Sequence, residues 1–253
     1  MESLERSGLN LEITHAGDGS ASTFFKHAME YVWHPGRYFK ALQRRPSWFH
    51  MYLASAFCAC MLSYLNFPFL REIFAVTLLA QAPADQVGPA LATFERGRWL
   101  GLLLAPLLLL IKLALQAVLL AIIAATATSR ATFRSAFAVI TNLQPFMVLQ
   151  GAFTLCLLYY AGVGEIRTAA DMQRPIGLDL FAGSSVGLPI LTVLHAVNLF
   201  DVLWLSYLYV ALRRMFDCQK GSATLIVGIY WVITVGFNVA LAVLSLDSRA
   251  VGT

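Results

Sequence analysis

The sequence predicts an all-α, polytopic membrane protein: a bundle of five transmembrane helices with a cytoplasmic N-terminus and the C-terminus outside. Three observations carry that expectation. First, 58% of the 253 residues are hydrophobic and only 13% are charged, against about 25% charged in an average soluble domain, and mean hydropathy is +0.68. Water would not tolerate so much apolar surface on a fold of this size, whereas lipid solvates it. Second, the apolar residues fall into five stretches bounded by charge, each near or above the ~20 residues that cross ~30 Å of hydrocarbon. Third, the basic residues are unevenly shared between the segments that join those stretches.

Residues 1–21 are mostly polar, end in GDGSA and read as a mobile tail. Residues 22–46 form an interfacial amphipathic segment: Phe24, Phe25, Tyr31, Trp33, Tyr38 and Phe39 mix with Lys26, Arg37, Lys40, Arg44 and Arg45. Pro35-Gly36 divides it into two short helical pieces, which suit either the headgroup layer or packing on the protein's own cytoplasmic end. No apolar leader core precedes residue 47, so the first span is expected to direct insertion. The transmembrane domain covers 48–246, with spans at about 48–66, 99–127, 135–163, 188–212 and 222–246. In the connection 67–98, the run IFAVTLLA is too short to cross and reads as an interfacial or capping helix.

The orientation follows from counting. An inside N-terminus places 11 basic residues inside (Arg6, Lys26, Arg37, Lys40, Arg44, Arg45, Arg130, Arg134, Arg213, Arg214 and Lys220) and 6 outside (Arg71, Arg96, Arg98, Arg167, Arg174 and Arg249). Cytoplasmic enrichment of Lys and Arg favours that arrangement. The net charge of +4 is thereby a matter of topology. No Lys/Arg stripe interleaved with stacking aromatics lies clear of the membrane, which argues against nucleic acid as a partner.

Two charges lie inside the spans: Lys112 near the middle of the second and Asp201 near the middle of the fourth. Each costs about 2.5–3.5 kcal/mol at mid-bilayer, and Lys112 is too deep to reach the headgroups. A partner of opposite charge at the same depth is the least costly solution, so a Lys112–Asp201 ion pair between the second and fourth spans is expected. It would serve either as a packing clasp or as a gated pair on a transport path. His195 and Asn198 precede Asp201 by six and three residues, which on one continuous helix would put all three on a broad common face. That His is either a hydrogen-bonded core residue or a proton relay.

In the third span, Pro145 removes a helical hydrogen bond beside Asn142 and Gln144. The segment is either a kink with polar interhelical contacts or the unwound part of a binding site. Pro106 predicts a second kink, and Gln116 and Asn238 are further interhelical hydrogen-bonding candidates. Cys58, Cys60 and Cys156 sit in apolar runs, where Cys acts as a small hydrophobe. With no second Cys/His cluster beside them or Cys218, no metal site or disulfide is expected. No Walker loop, HExxH, GxSxG or paired-glutamate motif occurs, so neither an enzyme nor a cofactor is expected.

The segment HPGRYFKALQRRPSW before the first span, the opening ATFRSAFAVITNLQPF of the third, and the final block LFDVLWLSYLYVALRRMFDCQKGSATLIVGIYWVITVGF together resemble the YIP-domain family. These are the Ypt/Rab-interacting five-span membrane proteins, here in the form of the bacterial members. Phe200 and Trp204 in the fourth span, Lys220 and Gly221 in the loop, and Tyr230 and Trp231 in the fifth span carry the likeness, which extends over about residues 33–246. The resemblance implies five helices with a cytoplasmic N-terminus, and a bacterial inner (plasma) membrane setting. The acidic DLYGP-like signature of the eukaryotic relatives is absent, which argues against a GTPase partner. The expected function is non-enzymatic, through association with membrane lipids, a membrane-protein partner or further copies of the chain. The alternative is a small transporter or permease component with its site at Lys112 and Asp201.

Overall fold

The apolar runs fold as helices. The structure, a computed structural model that describes residues 30–81, 83–166, 168, 171–172, 174–182 and 186–250, is 84% helical and contains no strand among the described residues. The tail 1–21, residues 22–29 and the loop residues Gly183, Ser184 and Ser185 lie outside that description. In chain order the helices are α1 (Pro35–Arg44), α2 (Phe49–Gln81), α3 (Ala84–Ala125), α4 (Phe133–Ala161), α5 (Leu188–His195), α6 (Leu199–Met215) and α7 (Lys220–Ala250). Single 3-10 turns lie at Val163–Glu165 and Leu178–Phe181.

Four helices are long and apolar enough to cross a membrane: Phe49–Ala80, Asp85–Ala125, Phe133–Ala161 and Lys220–Val243. They mark an integral membrane protein, and their outward faces carry Leu103, Leu115, Ile122, Val232 and Phe237 exposed, as helices solvated by lipid do. The count is four where five was expected, because the fourth apolar stretch is divided between α5 and α6.

The connection 67–98 also differs from its expected form. It is not a separate capping helix but the distal part of two long helices. The 33 residues of α2 make about 50 Å of helix and the 42 of α3 about 63 Å, well beyond one hydrocarbon thickness. The run IFAVTLLA simply prolongs α2, since the single proline before it, Pro68, removes only one backbone donor. Ring stacking of Phe74 on Phe94 (centroids 4.4 Å), the Arg71–Glu95 ion pair at 2.7 Å and the Arg98 guanidinium 3.8 Å above the Tyr64 ring join α2 to α3 there.

In the apolar interior, broken backbone bonds find replacements. Pro106 has no N–H to offer the Leu102 carbonyl one turn earlier in α3. The Cys60 thiol of α2 reaches that oxygen at 3.7 Å, and the Tyr52 hydroxyl donates to the Pro106 carbonyl at 2.9 Å. At the start of α4, Thr132 and Ser135 cap each other's backbone N–H reciprocally. The helix then runs without interruption through Pro145 to Ala161, so the third span is not unwound.

One end of the bundle gathers the basic residues. Thr128 donates to the Phe216 carbonyl at 3.1 Å, and Arg130 pairs with Asp217. These contacts bring the α3–α4 turn against the α6–α7 turn. Helix α1 lies on α6, with Phe39 and Leu42 fully inside the core. Their burial is worth about 1.5–3 kcal/mol each. Tyr31 packs between Phe146 and Tyr207, and the Tyr207 hydroxyl bonds the Val32 carbonyl at 3.0 Å. The described part of the amphipathic segment is therefore packed on the protein, while Arg37, Lys40, Arg44 and Arg45 stay exposed on its other side.

Asn142 ties these parts together. Its Oδ1 accepts from the Tyr38 hydroxyl of α1, and its Nδ2 donates to the Ser47 carbonyl before α2 at 3.0 Å and to the Ala138 carbonyl at 2.7 Å. Burial pushes the Tyr38 hydroxyl from 10.0 up to about 12. A folded value above the unfolded one means that its contribution is complete below pH 10 and is lost as pH rises through about 12. Tyr38→Phe strands a buried carbonyl oxygen. It should cost about 1–3 kcal/mol, read as a lower melting temperature in detergent, while Tyr160→Phe, at a residue 92% exposed, should leave melting unchanged.

Candidate functional site

The break in the fourth apolar stretch is built by Asn198. An Asn at a helix N-cap uses its side-chain oxygen to satisfy an otherwise orphaned N–H of the first turn. Here Asn198 Oδ1 accepts from the Asp201 N–H at 2.9 Å, while Nδ2 donates to the Asp201 carboxylate and to the His195 carbonyl at 2.9 Å. The cap starts α6 afresh at Leu199, so the chain turns between His195 and Asn198 instead of continuing one helix. His195, Asn198 and Asp201 therefore do not share a helix face. His195 ends α5, its Nδ1 2.8 Å from the Asp179 carboxylate.

The preceding loop is seated in that break. Gly177 pairs with Asn198 in an antiparallel bridge, and the Leu178 N–H donates to the Val197 carbonyl at 3.1 Å. The Gly177 N–H is taken by Asp179 Oδ1 at 2.7 Å. A Cβ at residue 177 would lie 2.7 Å from the Val197 oxygen and 3.0 Å from those of His195 and Leu194, which are backbone atoms with no room to retreat. This loop gives the last carbonyls of α5 company that a helix end inside an apolar environment needs.

Beside the break, α3, α4, α6 and α7 enclose a cavity of 690 Å³. Lys112 and Asp201 both line it. Each is about 20 Å of helix from the basic end of its own helix, and so is Thr234 on α7. Lys112 stands exposed at the mouth, in the middle of the apolar run of α3. The two charges face one cavity, but among the described residues they form no direct ion pair. The expected clasp is open because Asn198 and the first turn of α6 hold the carboxylate on their own side.

A second polar layer lies about 15 Å from the basic end: Gln116 on α3, Trp204 on α6 and Tyr230 on α7, all lining the cavity. Trp204 and Tyr230 stack with centroids 5.4 Å apart and are 6% and 2% exposed. Trp204 Nε1, the Tyr230 hydroxyl and Gln116 Oε1 are buried without a protein hydrogen-bond partner among the described residues. Such atoms are uncommon in folded proteins and call for an explanation. Asn238 lines the same cavity further along α7, and Thr234 turns its hydroxyl back to the Tyr230 and Trp231 carbonyls.

Asn142 and Gln144 are buried elsewhere, at the α1–α4 contact and within α4, and take no part in the cavity. Gln116 and Asn238 were legible as isolated polar residues in apolar spans. Trp204 and Tyr230 were marked only by the family resemblance, since an aromatic residue in an apolar run reads as core. Among the described residues no three His, Cys, Asp or Glu side chains converge as metal ligands would. Comparison with protein-family models, with curated proteins and with solved structures found no match.

The seat of the loop is testable. Gly177→Ala forces a Cβ against three carbonyl oxygens and should destabilise by about 1–3 kcal/mol, as overpacking does. Gly88→Ala in α3, where a Cβ meets nothing within 4 Å, should be neutral or slightly stabilising, with both read by thermal melting in detergent.

Proposed function

We propose that this is a YIP-like integral membrane protein with five crossings that acts by holding other membrane components, lipid or protein, and not by catalysis. The observation that carries this reading is the cavity at α3, α6 and α7. Its mouth is formed by the outward apolar faces of α3 and α7, with Leu115, Ile233 and Phe237 exposed, while its interior presents polar atoms without a partner among the described residues. An opening toward the surrounding hydrocarbon and an interior set of hydrogen-bonding groups suit a guest that arrives from the membrane.

The fifth crossing is made by α5 and α6 together. The 8 residues of α5 and the 17 of α6 make about 12 and 26 Å of helix, and both helices pack on α7. An odd number of crossings puts the termini on opposite faces, and the basic end with α1 on the cytoplasmic face, in a setting such as a bacterial inner membrane. The stacked Trp204 and Tyr230 are among the residues that carry the YIP resemblance, which supports placing the cavity at the centre of that class's architecture. The exposed Arg37, Lys40, Arg44 and Arg45 beside it suit anionic headgroups at the same face.

A second reading, a small transporter or permease component, is favoured by one specific feature. The interrupted fourth crossing puts the N-terminus of α6 beside the cavity, and transporters build midplane sites from such half-helices. Cysteine accessibility separates the two. In a chain with its four native cysteines replaced, Thr234→Cys should react with a lipid-soluble maleimide and resist a charged, impermeant thiol reagent from both faces. Labelling by the charged reagent from one face would instead establish a water-filled path and the transport reading. Reporters fused to the two termini should fall on opposite faces; reporters on one face would remove the fifth crossing.

A further inference from the structure

Lys112 is an exposed cation at mid-span with no ion pair among the described residues. The Trp204 Nε1–H of α6 and the Tyr230 hydroxyl of α7 line the same cavity, buried without protein partners among the described residues. These groups can donate hydrogen bonds, which is the set an oxyanion requires. The same helices also supply acceptors: Gln116 Oε1, one turn from Lys112 on α3 and without a protein partner among the described residues, and on α6 the Asp201 carboxylate, whose Oδ2 accepts from Asn198.

The cavity therefore carries one basic and one acidic side chain that are not in direct contact. A guest with a single charge would meet one of them and leave the other without a partner in a medium without water. A guest with both charges meets both. The mouth adds the second requirement: exposed Leu115 and Phe237 flank it, so the polar head must be attached to hydrocarbon that lies along α3 and α7.

We propose that the cavity binds a zwitterionic membrane lipid, with its phosphate against Lys112 and its ammonium against Asp201. A headgroup at Lys112 is drawn about halfway into the hydrocarbon, a depth at which both charges need protein partners. The inference rests on the reading of the cavity as a site for membrane components and adds the class of headgroup.

Native mass spectrometry of the detergent-solubilised chain, titrated with phosphatidylethanolamine, with phosphatidylglycerol and with free glycerophosphoethanolamine, tests it. The expected result is one phosphatidylethanolamine per chain, bound about tenfold more tightly than phosphatidylglycerol, with no detectable binding of the free headgroup. Lys112→Gln should weaken that binding about tenfold and Lys112→Arg should retain it. Asp201→Asn, which leaves Lys112 as the only charge, should invert the preference toward phosphatidylglycerol. Leu115→Trp narrows the mouth without touching a charge and should lower phosphatidylethanolamine binding even if a charge variant fails to fold. Equal or tighter binding of phosphatidylglycerol by the unmodified chain overturns the headgroup class while leaving a lipid site standing. Tight binding of the free headgroup overturns the lipid and favours a soluble zwitterion. Absence of any stoichiometric lipid overturns this inference, and if Thr234→Cys is also labelled by the charged reagent, the membrane-component reading falls with it.

Discussion

Hydrocarbon offers no hydrogen bonds, and the architecture follows from how each polar group inside it finds a partner. Asn142 is the clearest case. One side chain accepts from α1 and donates to the residue before α2 and to its own helix. The docking of the amphipathic segment, the entry angle of the first crossing and the position of α4 are thus coupled at a single buried amide. The same requirement explains the Cys60 thiol on the carbonyl that Pro106 frees. That contact gives an apolar-run cysteine a place without metal or disulfide chemistry.

The break between α5 and α6 meets the requirement differently. Ending one helix and starting another in a membrane protein exposes backbone groups at both termini. Asn198 satisfies the start of α6, and the loop through Gly177 approaches the last carbonyls of α5 so closely that no side chain fits between. The loop and the break are therefore one unit, and Asp179 extends it by holding both the Gly177 N–H and His195. Asp201 is fixed as a consequence of this unit. Its carboxylate is oriented by the cap, not by Lys112.

That difference shows what was legible in the sequence. The rarity of charge in the spans was sufficient to bring Lys112 and Asp201 to one cavity at one depth, because hydrocarbon penalises each alone. Whether they touch depended on local cap chemistry, and the signal for it was present: Asn198 followed three residues later by Asp201, at the head of an apolar run, is a helix-start pattern. Hydropathy alone passes over it, since an apolar stretch reads the same with or without a break. The lengths of α2 and α3 were hidden for the opposite reason. Pro68 and the charges at Arg71 and Glu95 looked like boundaries, yet the charges pair with each other across the two helices and the proline removes only one bond. The convergence of Gln116, Trp204 and Tyr230 arises from three helices distant in sequence, and no local pattern encodes it.

The electrostatics of the cavity connect its parts to its occupant. A direct Lys112–Asp201 contact would have closed the site, because a neutralised pair in a low dielectric has little left to offer a guest. The Asn198 side chain and the N-terminal dipole of α6 hold the Asp201 carboxylate on α6, with no direct contact to Lys112. The Lys112 side chain is then left at the mouth without a direct ion pair among the described residues. Trp204 and Tyr230, stacked on each other, add dipoles whose polar atoms lack partners among the described residues. Separated charges and preorganised donors around an apolar mouth bind best what carries the complementary separation and an apolar body. In the proposed site, the break between α5 and α6 is the structural origin of that selectivity.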